Sequence, residues 1–357
     1  MNSKSLTRRQ SIDSPVTAKE IGRQLGLSQP TVSRILSGER GLRVSPQTRQ
    51  RVLETAARMG YRPNAVARSL RQGRTNIVGF YTGYGYLDAR NPFLAELIGG
   101  LLHAADLCCQ DLLVYGMYRS TSTDGIYGKL VDGRIDGLLV HTHAADPLVA
   151  RLSEASLPVV AVADAIDGVP SVSADNATGM RLLLDHLWSR GHRKIAYVRP
   201  ERRFASVEER YGAFREWFAA RDLPASNAPV YAADFEETGA VFAAIQKSPS
   251  RPTAVCCWND MTAMGLIYHC RQQGLRVPED LAVVGFDGLM TDPRTSSRKL
   301  VSVGVSWKEL TAQAIDLLMR QIAASPREKE GFRHDENRTE LPQITYASVS
   351  LINGDTA

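Results

Sequence analysis

The chain has 357 residues, 43% of them hydrophobic and 23% charged, and a net charge of +5, enough length for a small module plus a large core. No apolar run reaches the roughly 18 residues of a transmembrane helix, and the polar start MNSKSLTRRQSIDSP lacks the apolar stretch of a secretory signal, so a cytoplasmic protein with no membrane partner is expected. The charge is unequally spread: residues 1–75 hold 15 Lys/Arg against 4 Asp/Glu, which is +11, and the remainder holds 28 against 34, which is −6, a split that points to nucleic acid at the basic end.

Residues 16–37, VTAKEIGRQLGLSQPTVSRILS, read as a helix, a tight turn and a second helix. Thr17 is a good N-cap, and Glu20 three residues later completes a capping box. Ile21 and Leu25 share an apolar face, and Gly26 supplies the left-handed residue that ends the helix. Ser28 caps the second helix. Pro30 is tolerated in its first turn, where the backbone N–H has no intrahelical partner. Val32, Ile35 and Leu36 face inward, which leaves Gln29, Thr31, Ser33 and Arg34 outward, able to reach base edges and phosphates from a major groove. After the loop SGERGLRV, Ser45 and Pro46 open a third helix that runs through Val52, Leu53, Ala56 and Met59 and stops at Gly60. Residues 62–75, RPNAVARSLRQGRT, are basic and poor in large apolar groups, and read as a linker that orders on binding.

From residue 76 apolar runs alternate with amphipathic helices. NIVGFY, DLLVYG, DGLLVH and PVVAVA read as buried strands, with helices near 93–107, 124–132 and 147–155. A second set begins near residue 173, with strands in RKIAYVR, TAVCCW and LAVVGF and helices near 176–190, 207–221, 237–247 and 260–273. This rhythm argues for parallel sheets covered on both faces. Two sets imply two subdomains with a cleft at the carboxyl ends of their strands. The expected fold is a small all-α helix-turn-helix domain plus an α/β core of two doubly wound parallel-sheet subdomains. Its expected division is 1–61 for the helix-turn-helix domain, 62–75 for a hinge, 76–173 with about 305–325 for the first subdomain, and 174–304 with about 326–357 for the second. The five cysteines, Cys108, Cys109, Cys256, Cys257 and Cys270, form no C-x-x-C pair and read as small buried hydrophobes.

Enzyme motifs are wanting, and no catalytic residue, metal or cofactor is expected. GYGYLD lacks the third glycine of a dinucleotide fingerprint, and neither a G-x-x-x-x-G-K-[ST] loop nor a G-x-S-x-G elbow occurs. His141-Thr142-His143 with Asp146 is a thin metal pattern, and polar strand-end residues lining a cleft account for it better. A secreted sugar-binding protein would fit the core taken alone but not the basic helix pair.

The motifs LSQPTVSRILSG, VSPQTRQRVLETAARMGYRPNAVARSL, Asn91-Pro92-Phe93, RIDGLLV, SADNATGMRLLLDHLWSRGHRKIAYV, CWNDMTAMGL and VPEDLAVVGFD occur in this order. Over residues 16 to about 350 the chain resembles the lac/gal repressor family of bacterial transcription regulators, whose cores are similar to periplasmic binding proteins. The resemblance implies a homodimer on near-palindromic double-stranded operator DNA, acting as a repressor and answering to a small polar effector, a sugar or a derivative. It implies base reading by Gln29, Pro30, Thr31 and Arg34, with Arg34 on a guanine; Pro30, which cannot hydrogen-bond, either touches a thymine methyl or simply shapes the helix. It implies phosphate contacts at Ser33, Ser45, Thr48 and Asn64. Leu70 matches a hinge leucine inserted into the minor groove, with Ala67 beside it. In the core, Arg210 matches the effector clamp, and Asn259, Asp287, His141 and Trp307 fall at effector-contacting positions. Three departures stand out. The loop SGERGLRV is two residues longer than the family's usual turn. Ala163 takes the place of an aspartate after PVVAV, with Asp164 following, and Val305 replaces a polar residue of several sugar-binding members. The segment FYTGYGYLDAR is about four residues longer than usual and brings Tyr81, Tyr84 and Tyr86, whose ring faces suit a sugar. The segment after Ser325 lacks a leucine heptad, so a dimer rather than a tetramer is expected.

Overall fold

The computed structural model describes residues 16–39, 41–83, 91–116, 122–143, 145–201, 204–233, 237–289, 299–325 and 343–357. They form two compact units that divide between Thr75 and Asn76.

The first unit holds α1 (Ala18–Leu25), α2 (Gln29–Leu36), α3 (Pro46–Arg58) and α4 (Ala65–Gln72). Thr17 and Glu20 make the reciprocal capping box of α1, and Gly26 ends that helix at φ 69°. Ser28 Oγ accepts the Thr31 N–H at 3.3 Å, with Pro30 in the first turn of α2. Ile21, Val32, Ile35, Val52 and Ala56 bury the facing sides of α1, α2 and α3, and Leu36 packs partly against them. The expected linker contains α4, which is capped at both ends: Asn64 accepts N–H bonds at its start and Gly73 turns left-handed at its end.

The second unit contains two six-stranded sheets. The first half supplies β1 (Ile77–Thr82), α5 (Pro92–Leu107), β2 (Asp111–Tyr115), α6 (Thr123–Leu130), β3 (Gly137–His141), α7 (Pro147–Ser153), β4 (Val159–Val162) and β5 (Ser171–Ala174). The second half supplies α8 (Asn176–Ser189), β6 (Ile195–Arg199), α9 (Ala205–Ala219), β7 (Val230–Ala232), α10 (Thr238–Lys247), β8 (Ala254–Cys257), α11 (Asp260–Gln272) and β9 (Ala282–Asp287). The chain then runs through β10 (Val301–Val305), α12 (Trp307–Ala324), β11 (Ile344–Ala347) and β12 (Val349–Ile352). The first sheet is ordered β11-β5-β4-β3-β1-β2 and is parallel throughout; the second is ordered β12-β10-β9-β8-β6-β7, with only β12 antiparallel. One apolar core runs from Phe80 and Leu97 of the first half through α8 and α12 to Phe214 and Phe286 of the second. Separate clusters seal the outer sheet faces, under α6 and α7 in one half and under α10 and α11 in the other. Among the described residues no helix is long and apolar enough to cross a membrane.

Three expectations need correction. Residues 326–357 do not all join the second sheet. β11 pairs with β5 in the first sheet, and only β12 pairs with β10 in the second, so the chain crosses from one sheet to the other at Ser348. Cys108 and Cys109 are exposed, since they form the turn that ends α5, whereas Cys256, Cys257 and Cys270 are buried. Tyr81 is no stacking face on a loop; it is buried beside Tyr115, Leu138 and Val140, on the face of β1 turned to α6 and α7.

Candidate nucleic-acid interface and ligand site

In the first unit Gln29, Pro30 and Arg34 are exposed on α2, and Thr31 and Ser33 are half-buried. Thr31 is partly committed to its own helix start, its hydroxyl 2.8 Å from Ser28 Oγ. Arg34 is gripped by Glu39 from the lengthened loop, Nε reaching both carboxylate oxygens at 2.9 and 3.0 Å and Nη2 reaching one at 2.6 Å. Ser45 Oγ accepts the Thr48 N–H at 3.1 Å at the start of α3. Asn64 Oδ1 accepts the Val66 and Ala67 N–H groups at 2.9 and 3.3 Å at the start of α4. Three of the four expected phosphate residues therefore sit at helix N-termini, where backbone N–H groups and the helix dipole favour an anion. Ala67 is exposed, and Leu70 is 82% exposed. Val66, which the sequence reading passed over, is 67% exposed. It lies four residues before Leu70 and so on the same helix face, a spacing visible in PNAVARSL.

In the second unit four expected ligand residues meet in one connected cluster. His141 ends β3, Arg210 lies in α9, Asp287 ends β9 and Trp307 opens α12. Phe93, at the start of α5, packs 5.0 Å from the His141 ring and edge-on at 5.4 Å to Trp307. Trp307 Nε1–H donates to the Asp287 carbonyl at 2.9 Å. Arg210 is 7% exposed. It donates to Asn176 Oδ1 at 2.8 Å and to the Trp258 carbonyl, lies 3.5 Å from the Asp287 carboxylate, and stacks 3.6 Å over Phe286. Asp287 holds φ 108°, a backbone conformation costly for any residue but glycine and concentrated at functional sites. Burial pushes its pKa up to about 8 even with Arg210 alongside. Burial drives His141 down to about 4, and its Nδ1 lies 3.0 Å from the Val162 carbonyl. The neutral tautomer with the proton on Nδ1 follows from that carbonyl acceptor.

Asn259 spends its side-chain oxygen capping α11, accepting the Thr262 N–H at 2.8 Å. Tyr84, with Tyr86, lies outside the described residues. Asp146 accepts the Thr142 hydroxyl at 2.6 Å and caps α7, so it serves the helix start rather than a metal cluster. Two buried residues escaped the sequence reading. Asn176 ties Arg210 to Glu209, donating to the carboxylate at 2.7 Å. Asp260 accepts the Ser302 hydroxyl at 2.5 Å and the Leu289 N–H at 2.6 Å. The signal for both was a polar residue between a strand and a helix, in SADNATG and CWNDMTAMGL. Asp164, beside the departure at Ala163, crosses to the other half. Its Oδ1 accepts the Ser206 N–H at 2.8 Å and caps α9, whose own N-cap residue Phe204 makes no side-chain bond. Burial raises its pKa to about 6.

A family model for "Bacterial regulatory proteins, lacI family" matches residues 17–64, and one for "Periplasmic binding protein-like domain" matches 184–344. The HTH-type transcriptional repressor PurR of Photobacterium profundum is 29% identical over 323 residues, covering 88% of this chain and 95% of that protein. Catabolite control protein A of Priestia megaterium is 28% identical over 322 residues, covering 86% and 92%. Among solved structures, the lac repressor dimer bound to operator and the anti-inducer ONPF superposes with a TM-score of 0.79 at 22% identity, covering 96% of this chain and 99% of that one. The complex of the transcriptional regulator CelR with cellobiose gives 0.66 at 23%, covering 96% and 100%. At these identities the two structures bear on fold alone.

Proposed function

We propose that the chain is a LacI-family transcription regulator, a DNA-binding protein and not an enzyme, and that it works in the cytoplasm as a homodimeric repressor of a near-palindromic operator, controlled by a small polar effector. The observation that carries the effector half is Arg210. A guanidinium this deeply buried at the strand ends can grip neighbouring hydroxyls or a carboxylate with paired hydrogen bonds. Two polar atoms, Oδ2 of Asp164 and Nε1 of Trp258, whose carbonyl Arg210 holds, are buried with no hydrogen-bond partner among the described residues, and such groups ask for a polar partner. Phe93 and Trp307, beside His141 and the Asp287 carbonyl, suit the apolar face of a sugar, and cellobiose is the ligand of one structural neighbour. On α2, Gln29, Pro30 and Arg34 would read bases, while Ser33, Ser45, Thr48 and Asn64 would set the register on phosphates. Leu70 and Ala67 would enter the minor groove.

In the proposed mechanism the effector binds the closed and open arrangements of the two halves with different affinities and so shifts their populations. That shift alters α4 and with it operator affinity. The test is to select operators from a random DNA library with the purified protein and then screen sugars and sugar phosphates by thermal shift. A ligand that raises the melting temperature and changes operator affinity supports the reading. A protein that binds sugars but ignores every DNA, or that selects no palindrome, refutes it.

A further inference from the structure

The loop after α2 is longer than the turn common in this family, and it folds back on the helix it follows. The Gly38 N–H donates to the Ile35 carbonyl at 3.1 Å, and the Glu39 N–H to the Arg34 carbonyl at 3.2 Å. Gly38 makes the reversal with φ 70°, a conformation that glycine adopts without strain. These backbone bonds bring the Glu39 side chain beside Arg34. An arginine presents two forks to a planar acceptor: a side-on fork of Nε with one terminal nitrogen, and an end-on fork of both terminal nitrogens. Glu39 takes the side-on fork, with contacts at 2.6, 2.9 and 3.0 Å. Arg34 Nη1 has no partner among the described residues, and with the second N–H of Nη2, whose other N–H goes to Glu39, it leaves two parallel donors that match O6 and N7 of guanine.

We propose that Glu39 is a positioning residue for base reading, fixing one edge of the Arg34 guanidinium so that the other is already aimed at a guanine. This rests on the assignment of Arg34 as a base contact. Ion pairs as exposed as this one, with side chains 49% and 40% accessible, add little to folding stability. The pair does remove the rotational freedom that Arg34 would otherwise lose on reaching the base. Prepaying the immobilisation of one long side chain is worth about a two- to tenfold gain in binding for each half-site. The carboxylate also cancels a positive charge near the phosphates, so Glu39 favours discrimination over general adhesion to DNA.

The experiment uses the full-length protein on operators selected from a random library, with wild type, R34A, E39A, E39Q and the double variant R34A/E39A. Base preference is read at every position, alongside affinity for a non-specific duplex and a circular-dichroism melt. R34A should erase a guanine preference at one position of each half-site. E39A and the isosteric E39Q should weaken preference at that same position by about two- to tenfold. Non-specific binding and helix content should hold or rise slightly, and E39A should add nothing in the R34A background. An unchanged preference in E39A and E39Q overturns the proposal. So does tighter operator binding, which would make Glu39 a competitor of the base, or an equal loss on both DNAs, which would make it a structural support. If R34A itself keeps every base preference, the assignment of Arg34 falls, and that result is distinct from a failure of Glu39 alone.

Discussion

Arg210→Met removes one member of a buried ion pair and should expose Asp287 as the group that answers. The guanidinium lies 3.5 Å from that carboxylate and donates to Asn176 and to the Trp258 carbonyl. Breaking a buried pair costs about 3–5 kcal/mol when the survivor stays charged. Asp287 has an alternative, because its folded pKa is already about 8. With a folded pKa above the unfolded one, its contribution to stability is full below the ordinary carboxylate range and is lost as pH rises through about 8. In the variant the guanidinium no longer opposes protonation, so the pKa rises further. At pH 6 both proteins carry a neutral Asp287, and the loss reduces to unmet hydrogen bonds at Asn176 and Trp258, about 1–3 kcal/mol. Above pH 8 wild type regains a compensated carboxylate while the variant must hold a proton or an unpaired charge, and the loss grows towards about 3–5 kcal/mol. At roughly 2–4 °C per kcal/mol for a core of this size, calorimetry should show a melting gap of a few degrees at pH 6 that widens by pH 9. In the same variant the ligand response should vanish while operator affinity stays within about threefold. A gap that does not change with pH removes Asp287 from the argument. A surviving ligand response removes Arg210 as the clamp.

Leu70→Ala should weaken specific operator binding about tenfold or more, since an inserted leucine buries a side chain worth about 1.5–3 kcal/mol. Binding to random duplex should move less than about twofold, because that side chain acts only at a deformed step; equal losses in gel shifts on both DNAs defeat the hinge assignment. Operator affinity should fall about 10³- to 10⁵-fold between 50 and 200 mM salt if some six to ten phosphates are contacted, and a flat salt titration contradicts that interface. His141 works in the opposite sense to Asp287. Its folded pKa lies near 4, so stability falls as pH drops from about 6.5 towards 4 while the unfolded chain takes up the proton. His141→Gln should flatten that part of the melting-temperature profile, and an unaltered profile would show that another group titrates there.

What could be read from sequence was local. Thr17 with Glu20, Ser28 with Thr31, Ser45 with Thr48, and Asn64 with Val66 are bonds spanning two or three residues, so each helix start was written beside its own cap. The apolar rhythm placed the long helices and central strands for the same reason. The ligand cluster depended on encounters across the chain. Asn176 meets Arg210 from 34 residues away, and Asp260 meets Ser302 from 42. Only the resemblance to a family drew attention to Arg210, and nothing local marks Asn176 as its neighbour or Ser302 as the partner of Asp260. Tyr81 was misjudged because alternate residues of a strand face opposite ways, and NIVGFY reads as a strand without showing which face its last residue takes. β11 and β12 are four residues each and mostly half-buried or exposed, too short to announce which sheet they join.

That late pair of strands has a consequence for the protein while it is being made. β5 (Ser171–Ala174) leaves the ribosome long before its outer partner β11 (Ile344–Ala347) is made. At about 5–20 residues per second, the first sheet waits on the order of 10–30 s with one edge open. An open strand edge is a template for pairing with other chains. The nascent chain is therefore exposed to misassembly at that edge for as long as β11, four residues far downstream of β5, has yet to emerge.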